Sequence, residues 1–202
     1  MNLLCRCISF IFSPLLVPTW AMILVARVSI LTLLPANYIW CAICVIFLLT
    51  CILPLSTFLL LYKRGLISTP SLNNRTDRTI PYIITIFCYC ICAWMMVRAR
   101  TPLWLPMFFI GASAATAVNT IINLWWKISG HAAAMGGLTA MTFLIALYHL
   151  EITDMYPWIS AAIILTGMVM SARVYLQRHT LMQVFLGVAN GFLCIWISSF
   201  LI

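Results

Sequence analysis

Two short runs carry the residue types that could do chemistry in this chain. They are Lys127-Ile128-Ser129-Gly130-His131 and Arg173-Val174-Tyr175-Leu176-Gln177-Arg178-His179, each beside a long apolar stretch. Ionisable groups are costly next to hydrocarbon and mark function where they occur. Two imidazoles permit a double displacement at phosphorus, in which one ring attacks and the other protonates the leaving oxygen. Arginine supplies bidentate hydrogen bonds to phosphoryl oxygens, and basic groups stabilise charge on the equatorial oxygens of the transition state. Gly130 leaves the backbone open to a phosphate, and a helix starting there adds a partly positive end. A metal-dependent hydrolase needs carboxylates or several histidines, and Asp77 is the one acid on the same side. The chemistry expected therefore uses neither metal nor cofactor.

The elements that must position these runs are membrane helices. The 202 residues are 65% hydrophobic and 7% charged, with a mean hydropathy of +1.12, which excludes a soluble domain. A span needs about 20 apolar residues. The reading is a single all-α domain over 1–202, a polytopic helical bundle of about six to seven transmembrane helices. The spans expected are 15–34, 38–61 (kinked at Pro54), 81–97, 103–125, 132–150, 158–172 and 181–202. The N-terminal stretch is too apolar for too long to be a signal peptide, and no small-residue cleavage site follows it.

Each span reverses the side of the membrane, so parity decides which polar segments can meet. The 63–78 loop, Lys127–His131 and Arg173–His179 are separated by two spans each and share one face. Eight of the 11 basic residues fall there: Arg6, Lys63, Arg64, Arg75, Arg78, Lys127, Arg173 and Arg178. Glu151, Asp154 and His149 lie on the other. The net charge of +8 thus builds one cationic site for an anion within the membrane, and nucleic acid is excluded as a partner.

At these residues the chain resembles the type 2 phosphatidic acid phosphatase superfamily. The second motif of that family, Pro-Ser-Gly-His, is matched by Ile128-Ser129-Gly130-His131 with Ile128 for the Pro. The third, Ser-Arg, five residues, His, three residues, Asp, is matched by Arg173 and His179, with Ala172 for the Ser and Gln183 for the Asp. The first, Lys, six residues, Arg-Pro, is matched at Arg78 alone, with Ser71 in the Lys slot, Thr79 in the Pro slot and Arg75 near enough to supply charge. The resemblance covers roughly residues 75–191. It implies His179 as the nucleophile and His131 as the general acid. Arg173, Arg78 and Arg75 clamp the phosphate with the Ser129 hydroxyl and the Gly130 amide, and Lys127, outside the motifs, is added to them. The implied substrate is a lipid phosphate monoester or pyrophosphate, hydrolysed through a phosphohistidine. The location expected is integral and multi-pass in a bacterial cytoplasmic (inner) membrane, with membrane lipids as surroundings and the side of the site and the oligomeric state left open.

Gln183 is the departure that matters. An Asp four residues after His179 would orient the ring and stabilise the imidazolium, whereas an amide supplies no charge. Its oxygen can accept the imidazole N–H; its nitrogen would enforce the wrong tautomer. A catalytically silent relative that binds or transports a phospholipid or polyprenyl phosphate is therefore the alternative. A solute transporter would require an internal repeat, and none is evident. Away from the site the readings are structural. His149 matches no motif, Arg98 and Arg100 are interface anchors, and the cysteines, Cys41 and Cys44 included, are packing residues. Gly136-Gly137 and Gly187/Gly191 predict close helix approach.

Overall fold

The computed structural model describes residues 1–67 and 76–201. Among the described residues there are nine α-helices: α1 (Asn2–Ile11), α2 (Val17–Val28), α3 (Ala36–Phe47), α4 (Leu53–Lys63), α5 (Thr79–Arg98), α6 (Trp104–Asn123), α7 (Gly130–Leu147), α8 (Tyr156–Tyr175) and α9 (Leu181–Ser198). Helices α3 and α4 run on through a π-helical turn at Leu48–Ile52. Pro54, which cannot donate to the preceding turn, follows that π turn directly, so the expected irregularity takes the form of a widened turn.

Among the described residues six helical segments are long and apolar enough to cross a membrane: Ala36–Lys63, Thr79–Arg98, Trp104–Asn123, Gly130–Leu147, Tyr156–Tyr175 and Leu181–Leu201. They fit a multi-pass membrane protein. The first expected span, 15–34, takes a different form. Its helix, α2, has only 12 residues and rises about 18 Å, and a 3₁₀ turn at Ile30–Leu33 follows it. The chain enters α2 beside the middle of two spans and leaves it at the end of the bundle where α7 finishes. Thr50 and Tyr89 donate to the carbonyls of Leu15 and Pro14 before α2. After it, the Ile30 amide donates to Leu150 and the Ile152 amide to Val28. Pro18 in the first turn and the extended exit at Ser29 bound the helix without altering the parity.

The core of the bundle is α7, flanked by α9 and α8, with α5 and α6 packed on the far side of α9. Helices α7 and α9 meet backbone to backbone. A Cβ at Gly191 would overlap the Ala133 carbonyl, and one at Gly136 would overlap the Val188 carbonyl. The two glycine pairs singled out in the sequence thus face one another across a single seam. A polar tie holds α9 to α6, where Asn190 Nδ2 donates to the Ala115 carbonyl (2.9 Å) and to Asn119 Oδ1 (3.0 Å).

Four helices end in the same way. After α4, α5, α7 and α8 the residue one past the cap takes a positive φ: Gly65 (70°), Arg100 (54°), His149 (51°) and Gln177 (53°). In each case its amide and the next amide turn back onto the last helical turn, the Schellman arrangement. His149 and Arg100 therefore occupy turn positions remote from the cationic face. His149 Nδ1 lies 3.7 Å from Glu151 at the opposite end of α7.

Candidate functional site

The turn after α8 explains the five-residue spacing between Arg173 and His179. Arg173 lies in the last turn of α8, where a cation is favoured by the helix dipole. The Gln177 amide donates to Val174 (2.8 Å) and the Arg178 amide to the Arg173 carbonyl (3.1 Å), so the chain doubles back within one turn. His179 then immediately precedes Thr180, the N-cap of α9. Arg173 and His179 consequently line one cavity.

Helix α9 begins with a capping box, Thr180-Leu181-Met182-Gln183. The Thr180 hydroxyl accepts from the Gln183 amide (3.4 Å), and Gln183 Oε1 accepts from the Thr180 amide (3.2 Å). A backbone N–H can only donate, so the side-chain atom it meets is the oxygen and the amide orientation is fixed. That same Oε1 lies 3.1 Å from His179 Nδ1. Nδ1 therefore carries the proton and Nε2 keeps its lone pair. The tautomer question raised by Gln183 is thus answered by its oxygen facing the ring.

His131 stands in the first turn of α7, whose N-cap is Ser129. The Ser129 hydroxyl accepts from the Ala132 amide (3.3 Å), and the Ser129 amide donates to the Gln183 carbonyl (3.3 Å). The second run is thereby tied to the third at their helix starts. Ser129 is fully buried and serves as the helix cap behind the cavity wall, whereas Gly130 and His131 line the cavity. His131 Nε2 meets the carbonyl of Ser9 at 3.1 Å.

Arg78, at the start of α5, is 6% exposed and donates from Nη1 to the Ile128 carbonyl (3.2 Å). It too lines the cavity. Arg75 lies outside the described residues. Lys127 is half-buried and sits behind the lining. Burial, followed by the charges of Arg78, Arg173 and Arg178, holds its ammonium below the usual lysine range. His179 is 6% exposed, and its pKa is lowered to about 3 by burial, then by Arg173 and Arg78, against the opposing hydrogen bond to Gln183. His179 is neutral at any pH near 7. Arg173 Nε is buried without a hydrogen-bond partner among the described residues. A buried guanidinium N–H left unpaired is costly, and an anion's oxygen would satisfy it.

Two contributors were not singled out from the sequence. Tyr82 lines the cavity one helical turn after Arg78, and its hydroxyl lies 3.2 Å from where a Cβ on Gly130 would stand. Gly130 therefore makes room for a phenol. The Arg78/Tyr82 spacing of four on a helix was the available signal. Ser9 had none, because it acts through its backbone.

The cavity has a volume of about 240 Å³. Its lining combines Arg78, Tyr82, Arg173, His131 and His179 with apolar residues that include Val17, Leu55, Phe58, Phe108 and Ile195. Among the described residues no three His, Cys, Asp or Glu side chains gather in one place.

Residues 123–201 match the family model of the PAP2 superfamily. Over this stretch the chain is similar to the PAP2 superfamily. The match takes in both histidine runs, the α7–α9 seam and the capping box. Phosphatase-type chemistry on phosphate esters is the coarse activity that this similarity supports. Arg78 and Tyr82 stand before the matched stretch and are brought to the same cavity by α5. Neither the curated proteins nor the solved structures contain a match to the chain.

Proposed function

We propose that this protein hydrolyses a lipid-borne phosphate monoester or pyrophosphate without metal, through a phosphohistidine on His179. The observation that carries this reading is the bare Nε2 of His179, set by Gln183 Oε1, in the same cavity as the unpartnered Nε of Arg173. The Nε2 lone pair forms a bond to phosphorus while the ester P–O bond breaks, and His131 gives its proton to the departing oxygen. Water then attacks the phosphohistidine as His131 takes one of its protons, and the P–N electron pair returns to Nε2. Proton transfer of this kind contributes about 10²–10⁴-fold. Arg173 and Arg78 face the equatorial oxygens, with Lys127 adding positive charge from behind and the start of α7 adding its partial charge.

The largely apolar lining of the cavity and the six apolar spans among the described residues support a substrate with a hydrocarbon tail. Phosphatidic acid, phosphatidylglycerophosphate, polyprenyl pyrophosphate and lipid A phosphates share this chemistry. The whole chain acts as one domain in this reading, in a bacterial cytoplasmic membrane.

The test is phosphate release by the purified protein in detergent, with chelator present, from a panel of these lipids. Wild type is expected to release phosphate, with His179→Ala and His131→Ala losing at least about 10²-fold. Equal release by all three would sink the proposal. Binding by all three without release would establish instead a silent lipid-phosphate binder.

A further inference from the structure

The four carbonyls of the last turn of a helix have no partner within it, so each must find one elsewhere. At the end of α1 all four partners are identifiable. The Ile8 carbonyl accepts from the Phe12 amide, the Phe10 carbonyl from the Ser13 amide, and the Ile11 carbonyl from Trp20 Nε1 (2.9 Å). The fourth, on Ser9, meets His131 Nε2 at 3.1 Å. A carbonyl can only accept, so Nε2 is the protonated nitrogen of this ring. Helix α1 lies against α8, with Cys5 and Ser9 buried and Leu3, Leu4, Phe10 and Ile11 exposed.

We infer that the Ser9 carbonyl is the positioning group for the proton donor, holding His131 as the Nε2–H tautomer so that Nδ1 is the nitrogen that exchanges protons with the substrate. This rests on the proposed function. It adds an assignment that neither histidine run contains, since the group belongs to a helix more than 100 residues away in the chain. The two rings are set in opposite senses, His179 through Nδ1 by a side chain and His131 through Nε2 by a backbone carbonyl. In the cycle the His131 ring enters with protons on both nitrogens, the second arriving from the acidic phosphate monoanion or from solvent. It passes the Nδ1 proton to the leaving oxygen as the P–O bond breaks and remains as the tautomer that Ser9 holds. In the second half-reaction Nδ1 takes a proton from the attacking water. The last-turn carbonyls of α1 also bring the partial negative charge of a helix C-terminus to a ring otherwise surrounded by cations.

The experiment replaces Phe10 in the full-length protein by its α-hydroxy acid, which turns the Ser9 carbonyl into an ester carbonyl, a weaker acceptor, while every side chain is retained. The same replacement at Ile8 is the control for loss of one helical N–H. Phosphate release is measured with an alkyl phosphate, whose leaving oxygen must be protonated, and with p-nitrophenyl phosphate, whose leaving group departs as the anion. The expected result is a loss of roughly five- to ten-fold on the alkyl ester for the Phe10 ester alone, with p-nitrophenyl phosphate changed less than about two-fold. Equal losses on both substrates, or none, would overturn the assignment. Nitrogen-15 NMR of labelled histidines reads the tautomers directly: Nε2–H is expected for His131, and Nδ1–H there would overturn it. If the wild-type protein released no phosphate from either ester, the proposed function would fail, and the NMR result would still decide the Ser9 contact.

Discussion

Replacing Gln183 by leucine removes one oxygen that accepts two hydrogen bonds. One of them, from the Thr180 amide, belongs to the capping box, and its loss costs about 1 kcal/mol of stability. The other, from His179 Nδ1, fixes the tautomer of the nucleophile. Without it a buried ring N–H has no acceptor, a penalty of about 1–3 kcal/mol, and the ring is free to present the protonated nitrogen to phosphorus. At about 1.4 kcal/mol per tenfold, kcat should fall roughly 10- to 100-fold. Thr180→Ala separates the two effects. It removes the hydroxyl that caps the Gln183 amide but leaves the Gln183–His179 contact, so it should lower stability by a similar amount at nearly unchanged kcat. Gln183→Asp tests the sign of the electrostatics. A charge-assisted bond exceeds a neutral one by about 1 kcal/mol, which gives a gain of roughly five-fold in kcat. A carboxylate beside the ring favours its protonated form. It raises the His179 pKa from about 3, and the acid limb of the pH–rate profile moves to higher pH with it. Phosphate release from an alkyl phosphate in detergent, measured with thermal unfolding of each variant, provides both readouts. A Gln183→Leu protein as active as wild type would refute the reasoning.

Two further predictions concern stability. Gln177 sits at φ 53° where glycine is the favoured residue, so Gln177→Gly should stabilise the protein by about 1 kcal/mol, seen as a rise of about 2–4 °C in the thermal midpoint. The folded pKa of His179, about 3, lies below the ordinary 6.5, so the neutral ring contributes stability that is fully present above pH 6.5 and is lost as the pH falls from 6.5 towards 3. His179→Gln should flatten this part of the stability–pH curve, and a curve identical to that of the wild type would contradict the assigned burial.

Much of this arrangement was legible in the chain because it is set by length, hydropathy and spacing. Runs of about 20 apolar residues located six of the expected spans to within a few residues, and parity alone brought His131, His179 and Arg78 to one face. The same reasoning over-extended the first span. Hydropathy counts apolar residues, and it does not register that Pro18 and the pairing of Ser29 with Glu151 limit α2 to 12 residues. The Gln183 question was stated in the sequence but could not be decided there, because it turns on which end of an amide faces a ring. The Thr-x-x-Gln capping box was the overlooked clue, since it already demands that the oxygen point back towards the N-cap. The Ser9 contact left no trace in residue types. A backbone carbonyl acts identically whatever side chain it bears.

The seam between α7 and α9 also governs when the site can exist. Helix α7 leaves the ribosome with His131, Gly130 and the carbonyls that Gly187 and Gly191 will meet. The nucleophile, its orienting amide and the matching glycines follow only after α8 has crossed back. A nascent chain that ends before Leu181 has its proton donor near the membrane but has neither the Gln183 amide nor the α9 wall of the pocket. Docking of α9 onto α7 joins the two histidine runs in one step, through the Ser129–Gln183 contact and the glycine seam together. The proposed catalytic centre is thereby complete only once α9 has packed against α7.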